Sequence, residues 1–156
     1  MTQDDVIREL NELVEICKDS AEGFRTAASH VSNTELETMF LGYADQRAKF
    51  MQELQDEVRR LDGDPAQTGH ASAALHRGWM DLKAALSGGD PAGLIAAAET
   101  GETSAEAAYS RAAAIDFTGQ PGALVDKQWE QVKQALNRLR RLKEEVKDGT
   151  RFPRNK

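Results

Sequence analysis

The sequence predicts an all-α fold, a bundle of four long amphipathic helices, and three observations lead there. Apolar residues recur at alternating spacings of three and four over four separate segments. No segment alternates with the period of two that a half-buried strand needs. Helix-capping residues and Gly/Pro turns stand where each periodic segment breaks. With 156 residues, 40% of them hydrophobic, the chain has the size and apolar content of one domain with a sizeable core.

The first helix opens on a capping box, Thr2 with Asp5 three residues on, and carries the stripe Val6, Leu10, Leu13, Cys17, Ser20, Phe24, Ala27 and Val31. Ser32-Asn33-Thr34-Glu35 then offers overlapping caps for a second helix. Its stripe is Leu36, Phe40, Tyr43, Arg47, Phe50, Leu54, Val58 and Leu61, closed by Arg59-Arg60 and Gly63. So short a link makes the two helices antiparallel neighbours. Residues 62–70 read as loop and 71–86 as a shorter helix with Leu75, Trp79, Leu82 and Leu86. Asp90 as N-cap and Pro91 in the first turn open the third long helix, whose stripe Leu94, Ala98, Gly101/Glu102, Ala105, Ala108/Tyr109, Ala112 and Ile115 is dominated by small residues. DFTGQPG reads as a turn. A final helix from about residue 123 to 146 bears Val125, Gln128, Val132, Ala135, Leu139, Leu142 and Val146, and GTRFPRNK follows as a basic tail.

The connections set the topology. A helix of about 26 residues is roughly 39 Å long, and segment 62–90, with a helix of about 16 residues inside it, is long enough to travel back along the bundle. That predicts an up-down-down-up order with a helical crossover. The alternative is an up-down-up-down bundle with 71–86 as a satellite. The expected organisation is a bundle over 1–148 with its crossover at 62–90, and a tail at 149–156.

Composition excludes several function classes. Twenty Lys and Arg against 26 Asp and Glu give a net charge of −6, no broad footprint for a phosphate backbone, so no nucleic-acid partner is expected. One cysteine cannot form an intrachain disulfide or a cysteine-rich zinc knuckle. No run approaches the roughly 20 apolar residues of a spanning helix, so no membrane partner is expected. MTQDDVIREL lacks the basic and apolar regions of a secretory signal, and a cytoplasmic location is the expectation. Walker loops, Gly-rich dinucleotide turns and Ser/His/Asp groupings are missing. His30, His70 and His76 have no i+3 or i+4 metal-ligand partners, and Arg138, Arg140, Arg141 and Lys143 read as cations offsetting a helix dipole. Glu53 and Glu57 each stand one residue before a stripe position and read as bordering water.

The remaining signal is polar residues on apolar stripes. Glu102, Ala105 and Tyr109 form E-x-x-A-x-x-x-Y, a spacing that resembles the ligand-bearing helices of the rubrerythrin branch of the ferritin-like superfamily. The segments LVEICKDSAEGFRTAA, LGYADQRAKFMQELQDEVRRLDGDP and ALHRGWMDLKAAL resemble, more closely, one bacterial family of ferritin-like four-helix-bundle proteins of unknown function. The resemblance covers nearly the whole chain. It implies a ferritin-like up-down-down-up bundle with a short crossover helix. A di-metal site in such a bundle takes a Glu from each of two helices and Glu-x-x-His from each of the other two. Here Cys17 and Phe24 fall at the Glu and aromatic positions of helix one, Arg47 and Phe50 at the Glu and His positions of helix two, and Gln128 and Gln131 at those of helix four. Only Glu102 of six ligand positions keeps its carboxylate.

These departures point to a bundle that lacks the metal centre and holds no cofactor, with Cys17, Phe24, Arg47, Phe50, Glu102, Tyr109, Gln128 and Gln131 forming its altered core. Arg47 is expected to bond to Glu102, with Gln128, Gln131 or Tyr109 completing the network. The function expected is non-catalytic: a structural, ligand-binding or protein-interaction module with an unidentified protein partner or a second copy, as a homo-oligomer such as a homodimer. The competing expectation is an oxidoreductase or iron-handling protein that binds iron or manganese through Glu102 and flanking acids.

Overall fold

The structure, a computed structural model, describes residues 1–66, 79, 90–115 and 117–149. It contains four long helices: α1 (Gln3–His30), α2 (Thr34–Arg60), α3 (Pro91–Ala113) and α4 (Gln120–Lys147). Of the predicted crossover helix only Trp79 is among the described residues. His70, His76 and all of the tail but Gly149 lie outside them.

Each helix begins where local chemistry supplies a cap. The Thr2 hydroxyl accepts from the Asp5 amide and the Asp5 carboxylate accepts from the Thr2 amide, both at 3.1 Å, so two otherwise unpaired donors are satisfied. Asn33 Oδ1 caps α2 by accepting from Leu36 N at 3.0 Å, and Asp90 caps α3 with Pro91 in the first turn. Helix α4 starts earlier than expected. Gln120, Pro121 and Gly122 form its first turn rather than a loop, because a first-turn proline gives up no intrahelical bond and Gly119 takes the entering φ of +74°. The end of α2 also differs in detail from the sequence reading. Asp62, with φ +63°, is the left-handed residue, and Asp62 N→Arg59 O and Gly63 N→Val58 O close the last turn. Gly63 is needed for space instead: a Cβ there would lie 2.8 Å from the Ile7 side chain of α1.

Two apolar clusters fix the helix directions. One joins Leu10–Cys17 of α1 to Leu54 and Val58 of α2, Ala105–Ala112 of α3, and Val125 and Val132 of α4. The other joins Phe24–Val31 to Leu36–Ala44, Leu94–Ala98, and Leu139 and Leu142. Helices α1 and α4 therefore run one way and α2 and α3 the other, the up-down-down-up order. Helix α2 ends beside the first cluster and α3 begins beside the second, at opposite ends of the bundle. The helices pack in the ring α1, α2, α4, α3, with α2 against α4 the loosest seam. No described helix is long and apolar enough to cross a membrane.

Trp79, from the segment between α2 and α3, packs on the bundle. Its ring stands edge-on to Phe24 at 5.2 Å between centroids and fills the seam between α1 and α3. Two glycines make the slot: a Cβ on either Gly23 or Gly101 would come within 2.4 Å of the indole. Gly23→Ala or Gly101→Ala should therefore destabilise the fold by about 1–3 kcal/mol in urea unfolding followed by tryptophan fluorescence. Gly42, mid-helix and with nothing within 4 Å of the place a Cβ would take, provides the contrast: Gly42→Ala should stabilise by about 0.5–1 kcal/mol.

Candidate functional site at the bundle centre

A polar layer separates the two apolar clusters. Its principal element is an ion pair between Arg47 and Glu102, both fully buried. Arg47 is on α2 and Glu102 on α3, helices that face each other across the diagonal of the ring, so the guanidinium spans the core. Nη1 donates to Oε1 at 2.5 Å and Nη2 donates to Oε2, the two-pronged geometry that suits a planar fork and a carboxylate. Phe24 and Phe50 present their rings to the guanidinium at 5.6 and 5.9 Å from its carbon. Nε donates to Gln46 Oε1 at 3.3 Å, and Gln46 Nε2 donates in turn to Gln131 Oε1 at 2.9 Å. Burial works to lower the Arg47 pKa, but the charge and hydrogen bonds of Glu102 outweigh it and the pKa rises, so the guanidinium keeps its charge.

A second chain lies beside the pair. Gln128 Nε2 donates to Phe50 O at 3.3 Å and to Glu53 Oε1 at 3.2 Å, which fixes its carbonyl toward Tyr109. Tyr109 OH donates to that carbonyl at 2.7 Å, leaving its oxygen to accept the thiol proton of Cys17 across 3.0 Å. The chain thus runs donor to acceptor from Cys17 to the half-buried carboxylate of Glu53. Burial pushes the Cys17 thiol up to about 11 and Tyr109 well above the ordinary phenol range. Both are neutral at pH 7, so neither is an activated nucleophile.

All eight residues singled out in the sequence meet in this layer or flank it. Of the three residues expected to complete the network of the ion pair, Gln131 does so through a bridging amide, and Tyr109 and Gln128 form a separate hydrogen-bonded chain. They bond to Cys17 and Glu53, while Gln131 reaches Arg47 only through Gln46. Sequence reading missed Gln46 and the bond that Glu53, half-buried at the water boundary, makes to Gln128, while Ser20 lies on the buried stripe as expected. Gln46 and Glu53 stand one place off the apolar stripe and look solvated, although adjacency to Arg47 marked Gln46. Ser20 is fully buried with no hydrogen-bond partner for its hydroxyl among the described residues. Glu57, expected at the water boundary, is buried instead: Arg60, one turn on, covers its carboxylate with donors at 2.5 and 3.1 Å. The described residues include no group of three or more His, Cys, Asp or Glu side chains placed to hold a metal ion.

Two outcomes follow for this layer. Arg47→Ala leaves a buried carboxylate without its cation and should cost about 2–5 kcal/mol in equilibrium unfolding; a loss typical of exposed sites, below about 0.5 kcal/mol, would contradict the buried pair. With a pKa near 11, Cys17 exists as thiolate in only about one molecule in ten thousand at pH 7. It should stay unlabelled by thiol reagents in native protein and react on unfolding.

Comparison with known proteins places this geometry. A solved structure described as a dodecameric thioferritin, the bacterioferritin-related protein of Bacteroides fragilis, superposes with a TM-score of 0.76. It covers 99% of this chain and 94% of its own at 14% sequence identity, which establishes a ferritin-like fold and no more. A search of curated proteins gives no match. The family model described as Domain of unknown function (DUF2383) matches residues 5–114, from α1 through the end of α3 and including Arg47 and Glu102. The chain belongs to the DUF2383 family and has the ferritin-like fold.

Proposed function

We propose that this chain is a non-catalytic ferritin-like bundle in which an internal ion pair takes the place of a di-metal centre, and that it serves as a structural, ligand-binding or interaction module. The observation that carries the reading is the engagement of Glu102. Both of its oxygens accept hydrogen bonds from Arg47, so a divalent cation would have to displace a buried cation held by two aromatic rings. The donor set supports the same conclusion. Phe50 has no donor atom, Gln128 and Gln131 offer neutral amides already spent on other partners, and hard or borderline metals select carboxylate and imidazole over such groups. These residues do not fit a carboxylate-bridged metal pair.

The competing reading, a metal-dependent oxidoreductase or iron-handling protein, draws on the name thioferritin borne by the structural neighbour. It requires Glu102 to leave Arg47 and flanking acids to converge on it. The neighbour is also described as dodecameric, and assembly of several copies of this chain belongs to the proposal.

Elemental analysis of protein purified without chelators separates the two. The reading predicts iron and manganese far below one ion per chain, and a melting temperature unmoved by a chelator or by added metal. Near-stoichiometric metal would overturn it. So would a melting temperature that rises with metal concentration, the signature of an ion bound to the native state.

A further inference from the structure

The seam between α2 and α4 lies opposite the one that Trp79 fills, and it opens into a cleft of about 410 Å³. It is lined by the half-buried Tyr43 phenol, by the Gln46–Gln131 amide pair that bonds across it, and by the exposed side chains of Gln134, Arg138 and Arg141. Among the described residues no carboxylate lines it. That is notable in a chain with a formal charge of −6. The basic run on α4 divides by direction. Arg140 and Lys143 turn toward Glu99 of α3, at 3.4 and 3.9 Å, while Arg138 and Arg141, three residues apart, share the helix face that borders the cleft. Burial raises the pKa of Tyr43 even against the opposing charge and hydrogen bond of Arg138, so the phenol is a neutral donor beside the cations.

Two guanidinium forks side by side suit an anion with several terminal oxygens and two charges, whereas one carboxylate can occupy only one fork. The volume falls within the range of small-molecule sites and is too small for a folded partner. The half-buried Tyr43 phenol and the Gln134 amide that line the same cleft can bond hydroxyl groups of whatever carries the anion. We propose that the α2–α4 cleft binds the phosphate monoester of a small polar molecule, with Arg138 and Arg141 on the phosphate and Tyr43 and Gln134 on the polyol portion. The site is separate from the central ion pair and holds whether or not a metal ever enters the core.

Calorimetric titration of the full chain with glycerol phosphate, inorganic phosphate and glycerol tests this. Expected are one site per chain for glycerol phosphate, weaker binding of inorganic phosphate, and none of glycerol. Arg138→Gln and Arg141→Gln, both at exposed positions, should each weaken glycerol phosphate about tenfold or more, with circular dichroism unchanged. Arg140→Gln, which removes the same charge one residue away, should change affinity less than about twofold. The proposal is overturned if glycerol phosphate does not bind, binds no tighter than inorganic phosphate, or weakens equally in Arg140→Gln. Tighter, length-dependent binding of a single-stranded RNA would also overturn it, by reassigning the basic run to a polymer backbone.

Discussion

The fold depends on how one buried cation is compensated. Taking a guanidinium and a carboxylate out of water costs several kcal/mol each after relaxation, and their attraction offsets that only when geometry is good and the remaining donors and acceptors are used. Arg47 and Glu102 meet both conditions through the two-pronged contact, the flanking rings of Phe24 and Phe50, and the Gln46 amide on Nε. Because the pair joins diagonal helices, it also fixes register. Sliding α2 or α3 by one turn would strand both charges in apolar surroundings, whereas the leucine and alanine layers on either side would tolerate the slip far better.

The two faces of this bundle are unequal as a consequence. On the α1–α3 side, Gly23 and Gly101 admit the Trp79 indole and the seam is closed by an aromatic side chain from the connection. On the α2–α4 side the facing residues are mostly polar, with amides, the Tyr43 phenol and guanidiniums toward one end and Asp45, Lys49, Glu53 and Lys127 further along, joined across the gap by Gln46 with Gln131 and by Gln128 with Glu53. Polar groups of this kind leave a seam hydrated and accessible where apolar side chains would draw the helices together. The closed side holds the Trp79 indole, and the open side presents the cleft between α2 and α4.

Much of this was legible in the sequence because it rests on exceptions to simple patterns. The stripes, the Thr2, Asn33 and Asp90 caps and the direction of each helix follow from periodicity and capping chemistry. Arg47 and Glu102 stood out because a charge on an apolar stripe must find a partner. The parts that were not legible obey rules that operate between elements. Gln46 and Glu53 have the spacing of solvated residues and acquire their roles only when α4 brings Gln131 and Gln128 opposite them. Glu57 is buried by a neighbour's side chain, not by its place on the stripe. Gln120, Pro121 and Gly122 have turn-like composition yet begin a helix, since the first turn tolerates proline and Gly119 supplies the unusual φ. The identity of Gly63 is set by Ile7, which is 56 positions earlier in the chain.

The direct test of the central claim is a crystal structure of protein grown with excess iron and manganese, with anomalous data collected at both metal edges. The account predicts the Arg47 guanidinium clasped on both oxygens of Glu102 and no anomalous peak between the four helices. A pair of anomalous peaks bound by Glu102, with Arg47 displaced from the core, would contradict it.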